Sequence, residues 1–381
     1  MILNILKKVV NRVIRPKSVF EMGSEKMRLY MGGFDEPKDD IDRSFFQYRC
    51  QMQQCSILAC LLLNCASAFF LLFYLIRLKK SDPNTNGKPG VAVFYSNGLN
   101  PNILPKSLWR DYDDIEVIEE ENPKTIDKIG IDVIKQIIKK HPFSYYFIVK
   151  NLIKLSIYSS LIENFKCKTI VCSCEYSFTS SILTYYCNSK NVKHINIMHG
   201  EKLFSIRDSF FHFNVFYIWD EYYCQLFEDL RAASDSYIVE IPEIFYIKKK
   251  SECKIDYKYY LQAENIKELK HIYSSMMCLK NNGYSVKVRL HPMYSDRKAV
   301  KHIFQNIEIE DHSEISIEDS IAETRTVISL YSTVLFQAYL NGVNIIVDDI
   351  TNVDKYNELS NLGYIIVKLN HERLSSLMLK K

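Results

Sequence analysis

From residue 90 onward the chain alternates short, nearly continuous apolar runs with longer segments whose apolar residues recur at helical spacing. The runs at 91–95, 115–118, 169–172, 194–198, 215–219 and 237–241 read as strands. A parallel strand covered on both faces needs no polar alternation. Helices are predicted over 124–140, 143–164 and 178–189. A second series follows: helix 262–280, strand 285–290, helix 295–304, strand 306–309, helix 317–324, strand 326–329, helix 332–341 and strand 344–347. Between the two series, Pro242 and the Lys-rich stretch from Lys248 to Lys258 read as a connection.

Strands separated by helices imply right-handed βαβ units and parallel sheets. The predicted fold class is therefore α/β: two Rossmann-like domains, 90–241 and 242–381, facing each other across a cleft. In such sheets ligands sit at the carboxyl ends of the strands, so the loops after the strands are the ones to read for chemistry.

Residues 1–89 follow another pattern and are expected to form a helical extension. Its longest apolar run, 55–76, is interrupted only by Ser56, Asn64 and Ser67. At about 1.5 Å rise per residue it is long enough to cross a hydrocarbon core of roughly 30 Å. Both flanks are basic, so the positive-inside rule assigns no orientation. A span, a helix lying in the inner leaflet and a helix packed on the protein all stay open. The first 17 residues carry Ile2, Leu3, Ile5, Leu6, Val9, Val10, Val13 and Ile14 at helical spacing among Lys7, Lys8, Arg12 and Arg15. That is the pattern of a basic amphipathic helix suited to anionic lipid. The stretch 81–90, rich in Pro, Gly and Asn, reads as a linker.

Composition narrows the function. A formal charge of +4 over 381 residues is too small and too dispersed for a nucleic-acid binder. The N-terminus lacks a long apolar core with a small-residue cleavage site, and the 11 cysteines read as free thiols of a reducing cytosol. Cys172 and Cys174, one residue apart, do not have zinc spacing. Asp348 and Asp349 follow a strand, but no second carboxylate cluster closes a neighbouring one. No metal and no cofactor is expected.

Four strand ends carry the candidate chemistry. Arg289, His291 and Pro292 close one strand, and His291 there is placed to donate to a phosphate oxygen. About forty residues on, Ser329 ends a strand and Ser332 or Thr333 caps the next helix, whose open N–H groups and hydroxyls suit an anion. In the first series, His199, Gly200 and Glu201 follow a strand. His199 or Glu201 is a candidate base for an acceptor hydroxyl, with Gly200 allowing a tight turn or a close backbone approach. Glu175, at another strand end, is a third candidate. Arg207 and Asp208 are placed either to bind acceptor or to pair with each other. The aromatic run Phe210, Phe211, Phe213, Phe216, Tyr217 and Trp219 reads as core.

Arg289-x-His291-Pro292 followed by Ser329-x-x-Ser332-Thr333 resembles the motifs of bacterial GT-B glycosyltransferases of capsule, O-antigen and lipooligosaccharide synthesis. The sialyltransferases and polysialyltransferases are the nearest in pattern. The resemblance covers mainly the last ~120 residues. It implies a GT-B-like fold, with His291 on the donor phosphate and Ser329, Ser332 and Thr333 on phosphate or nucleotide. Many of those enzymes hold ribose with a Glu where Gln337 stands, one turn into the helix, and Gln337 can still bond a ribose hydroxyl. The resemblance also implies metal-independent transfer of sialic acid from CMP-sialic acid to a surface-polysaccharide or lipid-linked glycan, on the cytoplasmic face of the inner membrane. Those enzymes take their base from an acidic pair followed by Gly, and this chain has no such triplet. His199-Gly200 with Arg-x-His-Pro also resembles the CDP-glycerol glycerophosphotransferases of wall teichoic acid synthesis, in which the His of the His-Gly pair is the proposed base. A reading of another class is a non-catalytic scaffold of polysaccharide assembly.

Overall fold

The computed structural model describes residues 16–80, 90–119, 125–248, 253–369 and 371–379. The expected amphipathic helix at 1–15 and most of the linker 81–90 lie outside the described residues. The chain divides into two compact units, one comprising Met1–His199 and Phe204–Ile241, the other Gly200–Leu203 and Pro242–Lys381.

In the first unit, a two-residue strand β1 (Lys79–Lys80) pairs with β4 (Thr125–Ile126). The main sheet contains β2 (Val91–Tyr95), β3 (Asp114–Ile118), β5 (Thr169–Cys172), β6 (Lys193–Ile197), β7 (His212–Ile218) and β8 (Ala233–Val239). All pairs are parallel, in the order β3-β2-β5-β6-β7-β8. The chain leaves β2 toward β3, then returns past β2 to β5, so the strand order reverses between β2 and β5. Both faces are covered. Val93, Tyr95 and Ile170 pack under helices on one side, while Ala92, Phe94 and Val171 pack on the other. That double burial is why these strands read as unbroken apolar runs. The aromatic run from Phe210 to Trp219 is fully buried, as core.

Five helices matter for the first site: α1 (Asp40–Gln53), α2 (Ile57–Arg77), α3 (Lys128–Lys140), α4 (Tyr145–Phe165) and α5 (Ser180–Ser189). Helix α1 is fastened to the sheet loops by side chains. Gln47 Nε2 donates to Glu175 O at 2.7 Å and to Arg207 O at 2.9 Å, and Ser44 Oγ accepts from Ile182 N. Helix α2 lies against α4, with Asn64 bonding Phe143 O and Tyr146 N and with Leu71 and Tyr74 in the core. His141 caps the C-terminus of α3 and stacks on Phe45 at 3.6 Å between ring centroids.

The second unit holds β9 (Ile255–Tyr260), β10 (Val286–Arg289), β11 (Glu308–Glu310), β12 (Thr324–Ser329), β13 (Asn344–Val347) and β14 (Glu372–Arg373), again all parallel. Their order is β11-β10-β9-β12-β13-β14. This is the 3-2-1-4-5-6 order of dinucleotide-binding sheets, with its reversal between β9 and β12. Strand β9 corrects the sequence reading: part of the Lys-rich connection is the central strand of the sheet. Its Lys258 side chain is completely buried, donating to Glu310 at 2.6 Å, Glu323 at 2.8 Å and the Ser320 carbonyl at 3.1 Å. A lysine in a sheet centre is affordable only with its charge and all its donors matched.

Candidate functional site

At the carboxyl edge of the second sheet, register aligns the ends of β10, β9 and β12. Arg289 pairs with Tyr260, and Ile328 with Tyr259. Three loops therefore leave side by side, and a chain of hydrogen bonds joins them. His291 N donates to Ser295 Oγ at 2.9 Å, Ser295 Oγ donates to Gln262 O at 3.2 Å, and Gln262 Nε2 donates to Ser332 Oγ at 3.0 Å. His291 and Ser332 thus belong to one loop cluster, at the point where an open α/β sheet places its ligand.

The imidazole of His291 is oriented. Its Nδ1 accepts from Met293 N at 3.1 Å and Tyr294 N at 3.2 Å, and its ring stacks on Tyr294 at 4.5 Å. With Nδ1 an acceptor, the ring hydrogen is on Nε2, which is the donor a phosphate oxygen needs. Burial, then the nearby His312, holds the ring below its ordinary value, so at neutral pH it donates as a neutral group.

Helix α6 (Thr333–Leu340) starts at the same edge, N-capped by Ser332, whose Oγ accepts from Val334 N at 3.2 Å. Leu335 N bonds Ser332 O, and among the described residues Thr333 N has no acceptor. Thr333 Oγ1 accepts from Glu201 N at 3.4 Å, and the Tyr331 hydroxyl donates to Glu201 O at 3.3 Å. Gln337 is buried, its Nε2 turned to Ile244 O at 3.5 Å.

Several candidates stand elsewhere than expected. Arg289 turns away from the strand end. Its guanidinium pairs with buried Glu310 and donates to Ile315 O at 2.8 Å, so its charge is spent inside the fold. Ser329 is fully buried and donates to Tyr260 O at 2.9 Å, tying β12 to β9. Pro292 opens the turn that Met293 and Tyr294 close onto His291. Asp348 accepts from the Tyr259 hydroxyl at 2.7 Å and caps Ile350 and Thr351, while Asp349 binds Ser375. Sequence reasoning missed Gln262 and Glu264, which follow the unread strand β9. Both Glu264 carboxylate oxygens accept from Gln262 N at 2.8 Å, and burial pushes this carboxyl up to about 7, with the charge of Glu268 adding.

In the first unit the loops after β2, β5 and β6 lie together, since Cys172 pairs with both Tyr95 and Asn196. His199 Nδ1 lies 2.6 Å from Ser173 Oγ and 3.5 Å from Glu175 Oε1. Ser173 donates its own hydrogen to Ile197 O at 2.9 Å, so His199 Nδ1–H is the donor and Nε2 keeps its lone pair. Glu175 is fully buried behind the imidazole and accepts from Asn196 Nδ2 at 3.0 Å. An imidazole whose Nδ1–H is held by Ser173, with a buried carboxylate 3.5 Å behind it, is oriented as a general base is. Glu175 accordingly positions His199 rather than meeting an acceptor itself. Glu201 falls with the second unit, beside Thr333. Gly200 has no left-handed φ, and an added Cβ would lie 3.7 Å from Thr333 Oγ1, an ordinary contact, so neither turn nor close approach demands glycine there.

Arg207 reaches Asp208 at 4.0 Å and lies over the Tyr176 ring at 4.6 Å. That ring meets His199 edge-on at 5.9 Å. Among the described residues one group has donor atoms close enough to share a metal: Cys172, Cys174 and His194, within 4.8 Å of one another. Both His194 nitrogens are already engaged, Nδ1 with Thr184 at 2.8 Å and Nε2 with the Tyr158 hydroxyl at 3.0 Å. The trio is therefore a hydrogen-bonded network rather than a ligand set.

No family model and no curated protein matches the sequence. Solved structures do match at low identity. A UDP-GlcNAc 2-epimerase from Neisseria meningitidis, bound to UDP-GlcNAc, is 12% identical, with 68% of this chain and 81% of that one covered and a TM-score of 0.41. MurG from Acinetobacter baumannii is 10% identical over 76% and 87%, with a TM-score of 0.43. The wall teichoic acid polymerase TagF is 12% identical over 87% of both chains, with a TM-score of 0.42. At these identities and TM-scores the likeness carries no functional argument, and the chemistry has to be read from the side chains.

Proposed function

We propose that the protein is a glycosyltransferase that takes a sugar from a nucleotide donor, with CMP-sialic acid the first donor to test. The observation that carries this reading is the cluster at the reversal point of the second sheet, where His291, Gln262 and Ser332 are joined through Ser295 beside the start of helix α6. Charge on the departing phosphate would meet the Nε2–H of His291 and the open N–H at the helix start. Preorganised donors of this kind contribute a few kcal/mol each to transition states that develop charge. The first unit contributes the base. As the acceptor oxygen bonds to the sugar and the sugar–phosphate bond breaks, the acceptor proton goes to Nε2 of His199. In this reading the enzyme uses no cofactor and no metal.

Transfer of a glycerol phosphate from CDP-glycerol is the second reading. It is favoured by one observation: the group oriented as a base is the imidazole of a His-Gly pair, with its carboxylate behind it. Both donors release CMP. The full-length chain is incubated with CMP-sialic acid, CDP-glycerol, and UDP- and GDP-sugars, with and without EDTA, and nucleotide release is followed. CMP from one cytidine donor, undiminished by EDTA, is the expected result. Release from none of the donors overturns the enzyme reading in favour of a scaffold.

The site of action we propose is the cytoplasmic face of the membrane, with a lipid-linked or surface-polysaccharide glycan as acceptor. Helix α2 is long and apolar enough to cross a membrane, yet one stripe of it is fastened to α4, while Ile57, Phe69 and Ile76 are 77–85% exposed. A helix held along its length by protein on one side and apolar on the other suits a position in the plane of the interface.

A further inference from the structure

We infer that the cavity at the reversal point of the first sheet is an anion-binding acceptor subsite, which holds a phosphate or carboxylate of the molecule that receives the transferred group. The word acceptor rests on the transferase reading above; the anion site itself does not.

The cavity opens where β2 and β5 end, the place at which a doubly wound sheet leaves room for a ligand. Tyr95 and Asn97 line it from one strand end, and Cys172, Ser173 and Cys174 from the other. Its volume is about 200 Å³. Pockets that enclose a whole drug-sized ligand run to roughly 300–1,000 Å³, so this one fits a single charged end.

Two ammonium groups face it. Lys150 and Lys154 stand one turn apart on α4, a spacing that sets like charges against each other. Among the described residues neither forms an ion pair, and no carboxylate lines the cavity. Instead, Lys150 Nζ lies 4.5 Å from the Phe178 ring centroid and Lys154 Nζ 4.9 Å from that of Tyr95. Aromatic faces weakly compensate a cation and leave its hydrogens free to donate outward. Burial, then the charges of Lys154 and Arg207, draw Lys150 down to about 8, the mark of positive charge gathered without a counterion. The hydroxyl of Ser177 and the amide of Asn97 add uncharged donors. Asn97 holds φ at 50°, a left-handed conformation that Asn tolerates better than most residues.

The cavity is coupled to the base. Ser173 lines it and accepts from His199 Nδ1, and Tyr176 lines it with its ring edge-on to the same imidazole. An acceptor anchored here by its anionic end presents the rest of its length toward Nε2. Phosphate and carboxylate share this chemistry, and the test separates them.

Cys174 supplies a local readout that needs no turnover. It lines the cavity, and the hydrogen bond from Cys172, then His194, holds its thiol below the usual range, which makes it the form that iodoacetamide attacks. The full-length protein is alkylated with glycerol 3-phosphate, glucuronate or glycerol present, and labelling of the Cys174 peptide is timed by mass spectrometry. Exposed Cys253 serves as the internal control. At ten times the Kd, an anion that fills the cavity slows Cys174 labelling about tenfold. Protection by glycerol 3-phosphate alone, or by glucuronate alone, names the anion. Lys150→Gln with Lys154→Gln abolishes protection while Cys253 labelling stays the same, and Lys150→Arg retains it. No protection by either anion, equal protection by glycerol, or protection that persists in the double variant overturns the site. Protection without nucleotide release from any donor leaves the anion site standing and removes the transferase reading; donor turnover without protection does the reverse.

Discussion

The side-chain amide of Gln262 donates to the hydroxyl of Ser332 across the reversal point of the second sheet, at 3.0 Å. The same loop receives Ser295, which in turn holds the backbone of His291, so a perturbation at Gln262 reaches both His291 and Ser332. His291→Ala removes one donor to a developing charge, an effect on the order of 10²–10³ in kcat. Gln262→Ala leaves the donors in place but frees them, and a smaller loss is expected, in kcat more than in KM. Steady-state kinetics on the donor that releases nucleotide check both. A His291→Ala enzyme with unchanged kcat would remove the phosphate role.

Glu264 gives the donor side a pH signature. Its carboxyl titrates near 7, because burial and the charge of Glu268 outweigh Lys355. Burial, then the charge of His312, holds the His291 ring below its ordinary value, so a titration near 7 belongs to Glu264. Below pH 7 a protonated Glu264 does not repel a phosphate; above it a carboxylate does. Nucleotide affinity is therefore expected to fall as pH rises through about 7, and Glu264→Gln should flatten the curve. Stability follows the same sign. The folded state binds the extra proton between the ordinary carboxyl value near 4.3 and about 7, so stability declines with rising pH in that window and levels off above it. Titration calorimetry and urea melts at several pH values read the two effects.

In the first unit the base and its support separate by kinetics. His199→Ala is expected to lower transfer by roughly 10²–10⁴. Glu175→Gln leaves the imidazole but removes the buried charge that favours its protonated form, so activity falls less and the acid limb of the pH–rate profile moves to lower pH. Glu201→Gln, at a buried residue of the second unit beside Thr333, is expected to leave the pH–rate profile where it is. A profile that moves with Glu201→Gln and not with Glu175→Gln would reverse the assignment.

Most strands were legible because double burial writes them as apolar runs: Val91–Tyr95, Thr169–Cys172 and Asn344–Val347 need no tertiary information. Strand β9 was not. Its sequence Ile-Asp-Tyr-Lys-Tyr-Tyr follows a run of lysines, and the charge of Lys258 is cancelled only by Glu310 and Glu323, more than fifty residues away. Losing β9 hid Gln262 and Glu264, which a central strand would have flagged as loop residues at the reversal point. His199, Glu175, His291 and Ser332 were visible because each follows a readable strand. Arg289 misled because position along a strand does not tell which way a side chain turns, and Glu310 on the neighbouring strand decides it.

Helix α2 should govern membrane attachment without governing the fold. Its exposed face carries Leu61, Phe69, Leu72 and Phe73, whereas Ala59 and Ser67 are buried. Replacing Leu61, Leu72 and Phe73 by Glu should leave the melting temperature nearly unchanged and shift the protein from the pellet to the supernatant when vesicles containing anionic lipid are sedimented. Burying each CH₂ in lipid contributes about 0.8 kcal/mol, and two Leu and one Phe side chains carry several such groups each, so replacing all three by carboxylates weakens interfacial binding strongly. A variant that still sediments with vesicles removes α2 from the membrane contact.

The buried charges beneath the donor loops predict stability rather than affinity. Lys258, Arg289 and Glu310 form one dry network, with Ser320 donating to Glu310 at 2.5 Å and Ile315 O accepting from Arg289. Removing one member leaves an uncompensated charge, so Lys258→Ala or Glu310→Gln should cost about 3–5 kcal/mol. Arg289→Met should cost a similar amount, and the fraction that stays folded should bind nucleotide with unaltered Kd, because the guanidinium faces Glu310 rather than the strand end. Urea denaturation of the full chain measures the first effect and calorimetry on the native fraction the second. An Arg289→Met protein of normal stability with weakened nucleotide binding would return Arg289 to the donor site and require Glu310 to be the residue that turns.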